Sequence, residues 1–147
     1  MLQGPIGKPV MHSLAQKLRT LQFFSHAGHN NVVGPAFAGD HSLLGDLYQE
    51  YEKSYDNLVE FLISLDEETV SPFTLTMNAA SALERESETS DGYEIFRTLS
   101  VMEGELRNMI VDALEELGDR DVGAKTLLEQ LHMESRTRDY KIKQRIK

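Results

Sequence analysis

The sequence predicts an all-α fold, a bundle of four long helices with one extended connection between the second and the third. Three observations carry this. Apolar residues recur at helical spacing over four long stretches. Alternating runs of β-branched residues, which would mark strands, are scarce. The only prolines are Pro5, Pro9, Pro35 and Pro72, so nothing in the second half interrupts a helix.

The first helix is expected from about Met11 to Asn31, with Leu14, Leu18, Leu21 and Phe24 on one stripe. Gly34-Pro35 breaks the chain. The second begins near Asp40, read as its N-cap, and runs to about Leu65, with Leu44, Leu47, Tyr51, Leu58, Phe61, Leu62 and Leu65 as its apolar positions. A connection from Asp66 to Ser90 follows. It is long for a helix–helix loop, has room for a short helix over Thr74 to Leu83, and lets the helices on either side run parallel. The third helix spans about Asp91 to Leu117 and stops at Gly118. The fourth starts at Asp121, its expected cap, and runs toward Tyr140. The whole chain, 1–147, reads as one domain with a short N-terminal extension, 1–10, and a basic C-terminal tail, 136–147.

Composition narrows the function. The chain has 147 residues and is 40% hydrophobic and 27% charged, enough for a real core. Its net charge of -9 favours cations over nucleic acid as ligands of the bulk surface. The absence of cysteine excludes disulfides, zinc-thiolate sites and thiol catalysis, and fits a cytoplasmic protein. No apolar run approaches the ~20 residues of a membrane span. Met1 to Val10 has no apolar segment and does not read as a signal peptide.

Four residues stand out as metal ligands: His29, His41, Asp56 and Glu60. His29 lies near the end of the first helix and His41 near the start of the second, so a short hairpin can bring them together. Asp56 and Glu60 are four apart and share a helix face. Imidazole with carboxylate suits iron or a related first-row metal. His41 and Asp56 are fifteen residues apart on one helix, about 22 Å at 1.5 Å per residue. They cannot hold the same ion within one subunit. Either they serve separate purposes, or a second chain brings its Asp56 and Glu60 to the histidines of the first. A two-fold dimer would make two such sites at once. The bland alternatives are histidines that cap helix ends and an acidic face that is merely solvated.

The run His26-Ala27-Gly28-His29-Asn30-Asn31-Val32-Val33-Gly34-Pro35-Ala36-Phe37, then His41, Asp56 and Glu60, resembles the signature of the Dps family, the miniferritins. That signature is H-x-x-H-W-N-V-x-G-P-x-F-x-x-x-H followed by D-x-x-x-E. The likeness covers about residues 14 to 65, and the remainder by helix pattern and length. It implies a ferritin-like bundle, a homo-oligomeric shell of twelve subunits built from two-fold dimers, and a ferroxidase centre at the two-fold interface. There His29 and His41 of one subunit and Asp56 and Glu60 of its neighbour would take two iron ions, oxidise iron(II), preferentially with peroxide, and pass ferric mineral to the cavity. Two positions depart from the signature. The family's third acid, four residues after the second histidine, is Gly45 here, and Asp46 is about 100° further round the helix. The tryptophan after the first ligand is Asn30. These departures keep an alternative open: a Dps-like cage with weak or lost ferroxidase activity that binds metal structurally or coats DNA.

The remaining signals are weaker. His26, one turn before His29, is a spare ligand or a hydrogen-bonding group. Glu129-Gln130-Leu131-His132 is an E-x-x-H step, but an intra-subunit di-iron bundle needs two, and Glu52 is followed at that distance by Tyr55. The resemblance implies three-fold pores lined by acids near Asp119 and Asp121, with Thr126 where a further acid is expected; plain capping explains Asp121 equally well. Glu84, Glu86 and Glu88 read as a solvated loop, and Met77, Met102 and Met109 as core filler. DNA binding would fall to Arg136, Arg138, Lys141, Lys143, Arg145 and Lys147. No phosphate-binding glycine loop or nucleophile elbow is present, so nucleotide or serine hydrolysis has no support.

Overall fold

The structure, a computed structural model, describes residues 8–65 and 70–147. The described residues form five helices: α1 (Lys8–Asn31), α2 (Phe37–Ser64), α3 (Pro72–Leu83), α4 (Gly92–Leu117) and α5 (Val122–Ile146). Among the described residues there is no strand, only an isolated bridge between Val33 and Asp91. α1 packs along α2, α4 along α5, and α1 also along α4, while α3 lies across α1. The end of α1, the starts of α2 and α4 and the end of α5 meet at one end of the bundle. Val33 N–H donates to Ser90 O at 3.1 Å there, and Arg145 reaches Asp40. The helices flanking the crossover, α2 and α4, therefore run parallel, as the long connection requires.

The apolar stripes read from the sequence close on one another. Leu14, Leu18 and Leu21 of α1, Leu44, Leu47 and Leu58 of α2, Phe96, Leu99 and Ile110 of α4 and Leu128 of α5 are fully or almost fully buried. Capping chemistry sets several boundaries. Asp121 Oδ1 accepts from Ala124 N–H at 2.8 Å, and Asp91 Oδ1 from Tyr93 N–H at 3.0 Å. Ser71 accepts from Thr74 N–H ahead of Pro72 in the first turn of α3. Gly118, at φ +57°, ends α4 in a conformation most side chains avoid.

Several boundaries differ from the expectation. α1 starts at Lys8, within the expected extension 1–10, of which residues 1–7 lie outside the described residues, as does part of the crossover, 66–69. α2 begins at Phe37. Asp40 is therefore not its cap but a buried first-turn residue, and the cap position is held by Ala36, which offers no side-chain oxygen. Met77 is not core filler: it is 70% exposed on α3, beside Phe73 at 86%. Met102 is buried, and Met109 packs against the core.

The largest difference concerns the basic segment. Residues 136–146 are the last turns of α5, and much of their charge is spent inward. Arg138 is 1% exposed and bonds Glu103; Lys143 lies 3.4 Å from Asp139; Arg145 pairs with Asp40. Of the six cations, Arg136, Lys141 and Lys147 face solvent without serving these pairs. The buried face of α5 is mixed: its apolar stripe, Leu128, Leu131 and Ile142, is interrupted by Ser135 and Arg138.

Candidate metal centre

His29 and His41 meet as the hairpin spacing requires. Their rings stack at 3.7 Å between centroids and 19° between planes. Each is held by the main chain of the other's residue. His29 Nδ1 lies 2.8 Å from the carbonyl of His41, and His41 Nδ1 lies 2.8 Å from the carbonyl of His29. A carbonyl only accepts, so both Nδ1 atoms carry hydrogen and donate. In each neutral ring the lone pair then sits on Nε2. Orienting an imidazole through its second nitrogen in this way is how metal-binding histidines are commonly prepared.

The neighbours of the pair complete its shape. Phe37, one turn before His41, stacks on the His41 ring at 4.9 Å. Tyr48 presents an edge to His29 at 5.4 Å. His26 is exposed and lies flat on Tyr48, 4.0 Å away and nearly parallel, with its centroid 6.3 Å from His29. It packs as a cover for the tyrosine and does not share the reciprocal bonding. Gly45 is buried directly against His29. A Cβ there would lie 3.1 Å from Cε1 and 3.2 Å from Nδ1 of that ring. Any side chain at 45 would therefore press on the His29 imidazole, which would have to give by a few tenths of an ångström. Asp46 and Asn30 are both exposed.

Asp56 and Glu60 are exposed, one turn apart on α2, well along the helix from the pair. Among the described residues of one chain, no three histidine, aspartate or glutamate side chains converge to hold an ion. Glu129 of the E-x-x-H step is exposed, and His132 is held below its ordinary pKa by partial burial and by the charges of Arg107 and Arg136. Glu52 accepts from Gln22 Nε2 at 3.2 Å, and Tyr55 lies under the Arg19 guanidinium at 3.8 Å. Asp121 is used as a cap, and Asp119 extends into solvent 3.8 Å from Lys125. Glu84, Glu86 and Glu88 are exposed, though Glu88 accepts from Asn31 Nδ2 at 2.8 Å.

One polar cluster escaped the sequence reading. Glu103, fully buried in α4, accepts from Tyr51 OH at 2.5 Å, from Arg138 Nε at 2.6 Å and Nη2 at 3.2 Å, and from Ser135 Oγ at 2.7 Å. Arg138 also lies over the Tyr51 ring at 4.6 Å. Burial, then the Glu103 charge, push the Tyr51 phenol well above its usual pKa. The signal was present: Glu103 falls between Leu99 and Leu106, and Arg138 between Leu131 and Ile142, at positions where each helix is otherwise apolar.

No protein-family model matches the sequence, and no curated protein sequence does either. Solved structures do match. The Dps protein of Vibrio cholerae O1, a member of a broad superfamily of ferritin-like diiron-carboxylate proteins, superposes with a TM-score of 0.81 at 19% identity over 95% of this chain and 87% of that one. A point mutant of Mycobacterium smegmatis Dps1 gives 0.75 at 18% identity over 99% and 100%. Antigen TpF1 from Treponema pallidum gives 0.74 at 14% identity over 100% and 99%. The chain has the ferritin-like fold of the Dps proteins.

Proposed function

We propose that the protein is a miniferritin: a homo-oligomeric shell, of twelve subunits built from two-fold dimers, that takes up iron(II) as substrate, oxidises it at inter-subunit sites and stores the ferric product, limiting oxidative damage in the cytoplasm. The observation that carries this reading is the reciprocal bonding of His29 and His41, which occupies both Nδ1 atoms and leaves Nε2 of each ring as the nitrogen that can take a metal. Asp56 and Glu60 of the neighbouring subunit would supply the other half. Their charge would offset that of the iron taken up, expected as two ions per inter-subunit site. Exposed apolar side chains, Val33 and Phe37 beside the pair and Phe73 and Met77 on α3, support contact with another copy.

In this reading the chain's own groups bind and orient. The two carbonyls keep the imidazoles in the Nδ1–H tautomer, so that substrate does not have to displace a proton from Nε2. Gly45 favours a second reading, a cage that holds metal but oxidises it slowly, because the histidine half has no carboxylate of its own and a side chain at that position would press on the His29 ring. Iron(II) added to purified protein in air, and then with peroxide, separates the two. The leading reading expects ferric absorbance to develop faster than without protein and to remain with the particle, with the gain lost in His41→Ala and in Asp56→Ala. Oxidation at the protein-free rate with metal still bound would select the second. DNA coating has four exposed cations per chain to draw on, Arg136, Lys141 and Lys147 and the Asp139-paired Lys143; reversing them should abolish any gel shift at low salt.

A further inference from the structure

The end of α2 that carries His41 lacks the usual termination. Ala36 gives the first amides no side-chain acceptor, and the one nearby acid, Asp40, points elsewhere. Its buried carboxylate accepts Arg145 Nε at 2.7 Å and Nη2 at 3.0 Å, a two-point pair with a residue 105 positions away on the last turn of α5. Gly92 makes room for it, since a Cβ there would collide with Asp40 Oδ2. The guanidinium also lies over the Phe96 ring at 5.9 Å. Asp40 immediately precedes His41, whose carbonyl and ring each form half of the reciprocal bonding with His29.

We infer that the Asp40–Arg145 pair is a positioning device for His41, fixing the uncapped first turn of α2 against the end of α5 so that the two imidazoles stay in register. Both histidine bonds run through main-chain carbonyls, so a small shift of this turn lengthens both at once. Arg145 touches no substrate and acts through Asp40. The planar fork matters as well as the charge, because a lysine would hold the carboxylate at one point only. The local consequence stands by itself; the consequence for metal rests on His29 and His41 being ligands.

The test uses full-length, metal-free protein and the variants Arg145→Ala, Arg145→Lys and Asp40→Asn. Arg107→Ala serves as control, since it removes a comparable pair with Asp139 on the face of α4 and α5. Hydrogen exchange of the amides of residues 40–45 is followed by mass spectrometry, and Co2+ binding by calorimetry. Arg145→Ala and Asp40→Asn should speed that exchange and weaken Co2+ binding about tenfold, the scale of losing a group that orients a ligand. Arg145→Lys should fall between these and the parent. Arg107→Ala should lower thermal stability while moving neither readout. Parent-like exchange in Arg145→Ala, or the same changes in Arg107→Ala, would overturn the inference. Should Arg145→Ala fail to assemble, Asp40→Asn and Arg145→Lys decide alone. If the parent protein binds no Co2+ through His29 and His41, the metal reading fails, while the exchange data still decide whether the pair positions the turn.

Discussion

Removing Glu103 gives the sharpest energetic prediction. Its carboxylate is fully buried and accepts four hydrogen bonds, two from Arg138, one from Tyr51 and one from Ser135. In Glu103→Ala the Arg138 guanidinium, 1% exposed, stays in the core without its counter-charge. Breaking a buried pair from one side costs about 3–5 kcal/mol. That is a large part of the roughly 5–15 kcal/mol by which a domain is stable. With about 2–4 °C per kcal/mol for a chain near this size, the melting temperature should fall by roughly 6–20 °C. The double variant Glu103→Leu/Arg138→Met removes both charges and should recover most of the loss, because well-packed apolar groups replace a buried pair at little net cost. Thermal and urea unfolding at one fixed protein concentration would measure this, since assembly itself adds stability. A melting temperature for Glu103→Ala within about 2 °C of the parent would refute the reasoning, as would a double variant no more stable than the single one.

Other consequences follow from the same contacts. Tyr51 has its folded pKa raised, so its contribution to stability is complete below the unfolded value of about 10 and is lost as pH rises beyond it; Tyr51→Phe should flatten the stability profile above that pH in equilibrium unfolding. His132 has its folded pKa lowered, so its contribution is present above about 6.5 and is lost as pH falls; His132→Gln should lessen the decline in stability on mild acidification. Gly45→Ala puts a methyl group against the His29 ring and should weaken Co2+ binding about tenfold by calorimetry, whereas tighter binding would show that the ring has room to yield. Ending the chain at Ser135 removes Arg138 and Arg145, the ion-pair partners of Glu103 and Asp40, so the product should be misfolded or unassembled by size-exclusion chromatography, not merely less basic.

The helices were legible because each has a long apolar stripe and because Asp91, Asp121 and Gly118 mark their ends in the residue types that ends require. The approach of His29 to His41 was legible because a hairpin of fixed length joins their helices. Asp40 misled because an aspartate near a helix start suggests a cap, and only the fold reveals that Arg145, far along the chain, claims it. Arg138 and Arg145 looked like a solvated basic tail for the same reason: their partners, Glu103 and Asp40, are distant in sequence. Met77 looked like core because methionine usually fills gaps, but α3 is a short crossover helix with only Leu75 and Ala79 buried. Gly45 could be seen to lack a carboxylate, whereas its contact with the His29 ring needed three dimensions.

The central claim is that one site takes its histidines from one subunit and its carboxylates from another. Mixing His41→Ala and Asp56→Ala protein tests it most directly. The two are unfolded together, reassembled at equal amounts, and checked for mixed particles by mass. Each is inactive alone, but every mixed two-fold dimer would contain one site with intact halves and one with both halves damaged. Random pairing then restores about one quarter of the parent's iron(II) oxidation rate and Co2+ capacity. Verified mixed particles with no recovery of either would contradict a shared site.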